Sequence, residues 1–166
     1  MKYVVECRPD EALVASLTTL RPRRIVHRSG KPEVLKYVRR TEETIGVIDD
    51  DPSSIQPPML QQLQEFESMP HLNLKRSRFP NGNVIITLTP RLEEWILDDC
   101  RRAGITMEHY GLPSDSEAFH DIVNQRLNNF ARLISDLRNG SERLQRLTDW
   151  LQHLPRDLSV PSPRES

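Results

Sequence analysis

Cysteine is nearly missing from this chain. Cys7 and Cys100 are its two, far apart and in no CxxC pair. That excludes a disulfide framework and suits a reducing compartment, with both thiols as small buried side chains. Aromatic residues make up only 5% and apolar residues 36% of the chain, which implies a compact core under a well-hydrated surface. There is no excess of either charge: 23 Lys and Arg stand against 24 Asp and Glu, for a net −1. Bulk charge therefore cannot hold a nucleic acid, and any such contact must come from local patches. No apolar run approaches a membrane span and no signal-peptide pattern follows Lys2, so a cytoplasmic protein with no membrane partner is expected. The five histidines are scattered without ligand spacing, which argues against zinc. No GxSxG elbow is present, and a phosphate-binding P-loop would need glycine where Ile25 stands.

What the chain does have is an alternation of short apolar runs and helical periods. With 166 residues it suits one domain with a small helical appendage. Tyr3-Val4-Val5-Glu6 reads as a strand, and Arg8-Pro9-Asp10-Glu11 opens a helix carrying Leu13, Val14, Leu17 and Leu20. A second strand near Arg24–His27 precedes Gly30-Lys31-Pro32 and a helix with Val34, Leu35 and Val38. A third strand runs from Thr44 to the acids Asp49-Asp50-Asp51. This β-α-β-α-β order predicts a parallel sheet with right-handed crossovers.

Beyond it, Met59–Phe66 shows helical spacing of Leu60, Leu63 and Phe66. Asn81-Gly82 then joins two strand-like runs, Leu72–Phe79 and Val84–Leu88, as a hairpin. The second run is apolar enough for the sheet centre; the polar first run suits an edge. A helix from Pro90 to Gly104 buries Leu92, Trp95, Ile96 and Cys100. A longer helix from Asp115 or Ser116 to Asn139-Gly140 follows, and a last one from Ser141 to Leu154. Three units are expected: an α/β domain at 1–104, a helical extension at 105–154, and a disordered tail at 155–166. The extension could cover the sheet or offer an apolar stripe to another protein, a second copy of this chain included.

The acids carry the chemistry. Three adjacent carboxylates repel one another, whereas a hard divalent cation such as Mg²⁺ takes oxygen ligands and is held by one or two of them. In open α/β sheets, ligands gather beyond the carboxyl ends of the strands, where Glu6 and Asp49–Asp51 stand. Asp49 and Asp51, two apart, would share a side if the strand continued. A solvated acidic turn capping a helix is the plain alternative. Basic clusters at Arg21, Arg23, Arg24 and Arg28, and at Lys75, Arg76 and Arg78, could track a phosphate backbone or simply form solvated faces and edge protection.

These residues resemble a family. Val4-Val5-Glu6-Cys7-Arg8-Pro9-Asp10-Glu11 looks like the opening of a Toprim domain, and Gly46-Val47-Ile48-Asp49-Asp50-Asp51 like its second, Asp-x-Asp motif. Gly30-Lys31 is similar to a turn in small bacterial Toprim proteins and in the nucleases of the OLD (overcoming lysogenisation defect) family. Pro90-Arg91-Leu92-Glu93-Glu94-Trp95 resembles the acidic-aromatic helix start that follows the last strand there.

The resemblance covers about the first hundred residues. It implies a Toprim-like, Rossmannoid α/β fold: a mostly parallel sheet flanked by helices, with the C-terminal helices as an addition. It also implies a Mg²⁺- or Mn²⁺-dependent nuclease, with DNA favoured over RNA, acting in a bacterial defence or repair assembly. Glu6, Asp49 and Asp51 would be catalytic; Glu6, Asp10, Asp49, Asp51 and Glu93 would bind metal, with Asp10, Glu93 and Glu94 able to serve a second ion. Lys31, Arg28, Lys75 and Arg76 would meet phosphate. Where the family pattern has glycine, this chain has Cys7. That departure, with the neutral charge and the apolar C-terminal helices, gives the alternative expectation: a weakly active or inactive Toprim-fold subunit partnering an ATPase.

Overall fold

The computed structural model describes residues 1–18 and 24–153. The expectations at Leu20, Arg21, Arg23, Leu154 and the tail lie outside the described residues. The chain runs β1 (Lys2–Val5), α1 (Arg8–Leu17), β2 (Ile25–His27), α2 (Lys31–Arg40), β3 (Thr44–Asp49), β4 (Gln64–Met69), β5 (Leu74–Arg78), β6 (Val84–Leu88), α3 (Leu92–Ala103), α4 (Ser116–Ile122), α5 (Leu127–Leu137) and α6 (Glu142–Gln152). It is an α/β fold. The strands form one sheet in the order β2-β1-β3-β6-β5-β4. β2, β1, β3 and β6 pair in parallel, and β5 and β4 add antiparallel.

The apolar pattern of β1 and β3 decides this arrangement. Val4, Val5, Ile45, Val47 and Ile48 are all buried, as strands covered on both faces must be. On one face α2 packs Val34, Leu35 and Val38 against Val4, Ile48 and Ile85. Gly46 makes that contact close: a Cβ there would stand 2.7 Å from Ile85 Cδ1 and 2.9 Å from Val38 Cγ2. The other face carries α1, α3, α5 and α6 in a single apolar cluster running from Val5 and Leu13 through Trp95 to Phe130 and Leu151.

The helices after residue 105 therefore share the core of the sheet. Buried Arg143 of α6 ties them to α3, donating to the Trp95 carbonyl at 2.9 Å and to Asp98 Oδ2 at 2.6 Å. Tyr3 Oη of β1 donates to the Leu151 carbonyl.

Four details differ from the sequence-based expectations. The helical spacing over Met59–Phe66 yields only a one-turn 3₁₀ segment, Pro58–Gln62, followed by β4. Backbone pairing with β5 prevails there over spacing, and Phe66 covers the Arg76 guanidinium at 5.1 Å. β5 is consequently interior, and β4 is the edge. The long helix over 116–137 breaks at Arg126 (φ −133°, ψ 41°), whose guanidinium donates to the Gly111 carbonyl at 2.6 Å. Cys100 is buried, but Cys7 is only partly so.

Replacing Gly46 by valine is expected to lower stability by about 1–3 kcal/mol, the usual cost of overpacking a close-packed core. Urea unfolding measures it, and an unchanged midpoint would mean that α2 is not seated as described.

Candidate functional site

The carboxyl edge of the parallel strands collects the acids. Glu6 follows the last residue of β1, and Asp49 is the last of β3, its neighbour in the sheet. The chain turns from Glu6 into α1 with Cys7 as the N-cap and Pro9 in the first turn. Asp10 therefore falls at the third helical position, where a side chain can reach back to the cap. Its Oδ2 accepts from the Cys7 thiol at 3.1 Å, and the Cys7 backbone N–H also donates to it.

The start of α3 arrives from the other side. The Asp50 N–H donates to the Leu88 carbonyl at 2.8 Å and the Asp51 N–H to the Pro90 carbonyl at 2.7 Å. Those bonds pin the end of β3 to the loop that begins α3. The Leu92 N–H, at the first position of that helix, then donates to the Asp49 carboxylate. Glu93 is buried beside them, and its Oε1 meets His120 Nδ1 of α4 at 2.9 Å.

Four carboxyl groups thus face one another in a poorly solvated place. Burial is the main reason each shifted pKa rises. Asp49 is pushed up to about 9, with Asp10, Glu6 and Glu93 adding repulsion. Asp10 is pushed up to about 7, with Glu6 and Glu93 adding to burial. Glu6 rises to about 7, the nearby Lys31 ammonium and the Asp49 N–H holding it down and Asp51 pushing it further up. One oxygen of each of these three groups is fully buried with no hydrogen-bond partner among the described residues: Glu6 Oε1, Asp10 Oδ1 and Asp49 Oδ1. Native proteins seldom leave buried polar atoms so, because each costs on the order of 1–3 kcal/mol.

An all-oxygen, electron-rich set with three uncommitted atoms fits a hard divalent cation. Among the described residues, no three His, Cys, Asp or Glu side chains are already arranged to hold an ion. The donor chemistry is in place, but a ready coordination sphere is not.

The structure brings Glu6, Asp10, Asp49 and Glu93 together; Asp51 is near enough to push Glu6 up but turns off the strand. The strand ends at Asp49, and Asp51 takes a positive φ of 39°. Its Oδ1 accepts from Ser53 Oγ at 2.7 Å. Asp49 and Asp51 thus do not share one strand face.

Lys31 is buried at the start of α2, donating to the Asp50 carbonyl at 2.7 Å and to Gln56 Oε1 at 3.3 Å. Arg28 is exposed and stacks on Tyr37 at 4.8 Å. Arg76 lies on the helix-covered face in an ion pair with Glu67, its guanidinium 4.8 Å from the Trp150 ring. Lys75 points to the opposite face, into a cavity with Lys31. Glu94 pairs with Arg91 outside the cluster.

His120 and the Leu92 N–H have no counterpart among the expectations from sequence. Twenty-seven residues separate His120 from Glu93, and no spacing rule links them.

The sign of the pH effect follows from the raised values. A carboxyl that holds its proton more tightly when folded stabilises the fold fully below its unfolded pKa, and that contribution is lost as pH rises through the folded pKa. For Asp49 the window runs from 3.8 to about 9, and for Asp10 from 3.8 to about 7. In chelator the melting temperature is expected to fall from pH 5 to pH 9. Asp49→Asn should flatten that fall and add about 1–3 kcal/mol at pH 8.5. A pH-independent melt of the unaltered protein would contradict the clustering. No family model matches the chain, and no curated protein or solved structure matches it significantly.

Proposed function

We propose that the carboxylate cluster is a divalent-cation site of Toprim-like type, supporting cleavage of a nucleic-acid phosphodiester, DNA in preference to RNA. The observation that carries this reading is the trio of orphaned buried oxygens: Glu6 Oε1 and Asp49 Oδ1 at the ends of adjacent parallel strands, and Asp10 Oδ1 in the first turn of α1. Glu6, Asp10 and Asp49 would hold the ion, with Glu93 beside them and small carboxylate rotations completing the ligand set. A bound Mg²⁺ or Mn²⁺ supplies charge neutralisation and polarisation of the phosphodiester.

The remaining work falls to the chain. In the ion-free protein Glu6, its carboxyl pushed up to about 7, holds a proton near neutral pH that cation binding would displace. His120 holds Glu93 in place through Nδ1, and the Leu92 N–H orients Asp49. Lys31, with one of its three ammonium donors unassigned, can meet a phosphate oxygen.

One observation favours a second reading. The Cys7 thiol is directed into the site and donates to Asp10, where the family pattern has glycine. A substrate then has less room to approach, and the protein would act as a weakly catalytic subunit of an assembly, with an ATPase as partner.

Labelled single- and double-stranded DNA and RNA, incubated with Mn²⁺ or Mg²⁺, separate the two. Cation-dependent cleavage is expected, and Asp49→Asn should reduce it at least about a hundredfold, since outer-shell partners of metals alone cost up to that much. Asp51→Asn should cost far less, because Asp51 is turned to Ser53. Cleavage unaffected by Asp49→Asn sinks the reading. Cation binding without cleavage leaves the subunit reading.

A further inference from the structure

On the α2 face, opposite the acid cluster, the sheet carries a second concave site. α2 covers β1, β3 and β6 but stops short of β5 and β4. The segment after Asp51 folds back over the uncovered part and leaves a cavity of about 210 Å³. Its floor is alternate side chains of neighbouring strands: Thr87 of β6, Lys75 and Ser77 of β5, and Glu65 of β4. Ile48, Leu60 and Leu63 supply apolar walls, and Asp50 and Lys31 close the end at the carboxyl edge.

Among the described residues, no hydrogen bond or ion pair engages the side chains of Asp50, Glu65, Lys75, Ser77 or Thr87. Ser77 is only 6% exposed and Thr87 only 4%. Two carboxylates, an ammonium and two hydroxyls thus line one hollow without satisfying one another. Glu65 is exposed and Asp50 and Lys75 are half-buried, so the hollow opens to solvent and offers both donors and acceptors to a ligand.

At roughly 30 Å³ per water in the liquid, the space holds about seven waters. It is smaller than the usual 300–1,000 Å³ or so of a drug-sized ligand site, and suits one planar ring system. A bare anion would meet Asp50 and Glu65, and a bare cation would meet Lys75. Guanine answers both needs along one edge: its N1–H and N2–H₂ donate together to a carboxylate, and the adjacent O6 accepts from an ammonium or hydroxyl. Its ring face suits the apolar walls.

We propose that this cavity binds a guanine base, either as a free nucleotide or unstacked from a single strand. Only the choice of a nucleobase as ligand class rests on the phosphodiesterase reading; the cavity and its unpaired groups do not. Asp49 and Asp50 are adjacent, one facing the acid cluster and the other the cavity. A strand crossing the carboxyl edge could therefore present a phosphodiester to one side and a base to the other.

Titration calorimetry and amide chemical-shift mapping with GMP, AMP, UMP and inorganic phosphate, in chelator, test this. GMP is expected to bind at least about tenfold more tightly than AMP or UMP, the range one bidentate base contact gives. Phosphate alone should not compete. The shifts should centre on Lys75, Ser77 and Thr87. Glu65→Gln and Lys75→Met should each remove the preference, while Asp49→Asn keeps it. Equal binding of GMP and AMP, displacement by phosphate, or affinity indifferent to both cavity variants would overturn the proposal. GMP binding without cation-dependent cleavage would count against the phosphodiesterase alone; cleavage without GMP binding would count against the cavity alone.

Discussion

Crowding of buried, poorly compensated carboxyl groups at the carboxyl edge of the sheet is the constraint on which the rest turns. Four carboxyl groups, from the ends of β1 and β3 and the starts of α1 and α3, lie close together, and burial with the neighbouring carboxylates raises the proton affinity of Asp10 and Asp49. Lys31 relieves Glu6 and His120 engages Glu93, but among the described residues Asp10 and Asp49 have no cationic partner. Structural acids in a helix cap or a turn sit in water or accept donors with both oxygens. Here three oxygens do neither. Folding tolerates such a site at the expense of stability, which is the usual mark of a place kept for chemistry.

The fold builds the site with ordinary means. Parallel pairing of β1 with β3 sets Glu6 beside Asp49, and the tight turn from Cys7 into α1 adds Asp10 as a cap that reaches backward. Two backbone bonds from Asp50 and Asp51 to the β6–α3 loop draw the α3 N-terminus over Asp49. That end of a helix offers free N–H groups and positive potential. It moderates the repulsion, yet Asp49 remains raised. The C-terminal helices contribute at a distance: Arg143 and Tyr3 seat α6, and α4 carries His120 to Glu93.

Much of this was legible in the residues. The Thr44–Asp49 run is too short and too apolar for anything but a buried strand, and Asn81-Gly82 marks the hairpin, with Gly82 at φ +88°. Strand alternation with helices gave the parallel order and hence the meeting of Glu6 with Asp49. Other features depend on contacts that no local pattern encodes. Leu60, Leu63 and Phe66 have helical spacing, but pairing of Gln64–Met69 with β5 overrides it. The two-residue spacing puts Asp51 beside Asp49 only if the strand continues; the strand ends at Asp49, and Asp51 turns to Ser53. His120 and the unpaired polar floor of the α2-face cavity come from residues brought together only by the tertiary fold.

The central claim is that these acids share one ion. Anomalous scattering from a crystal grown or soaked with Mn²⁺ measures that directly. A single strong peak bridging Glu6 and Asp49, with Asp10 at or next to it, is the predicted result. Empty density there, with both carboxylates still held by backbone N–H groups at saturating Mn²⁺, would contradict it.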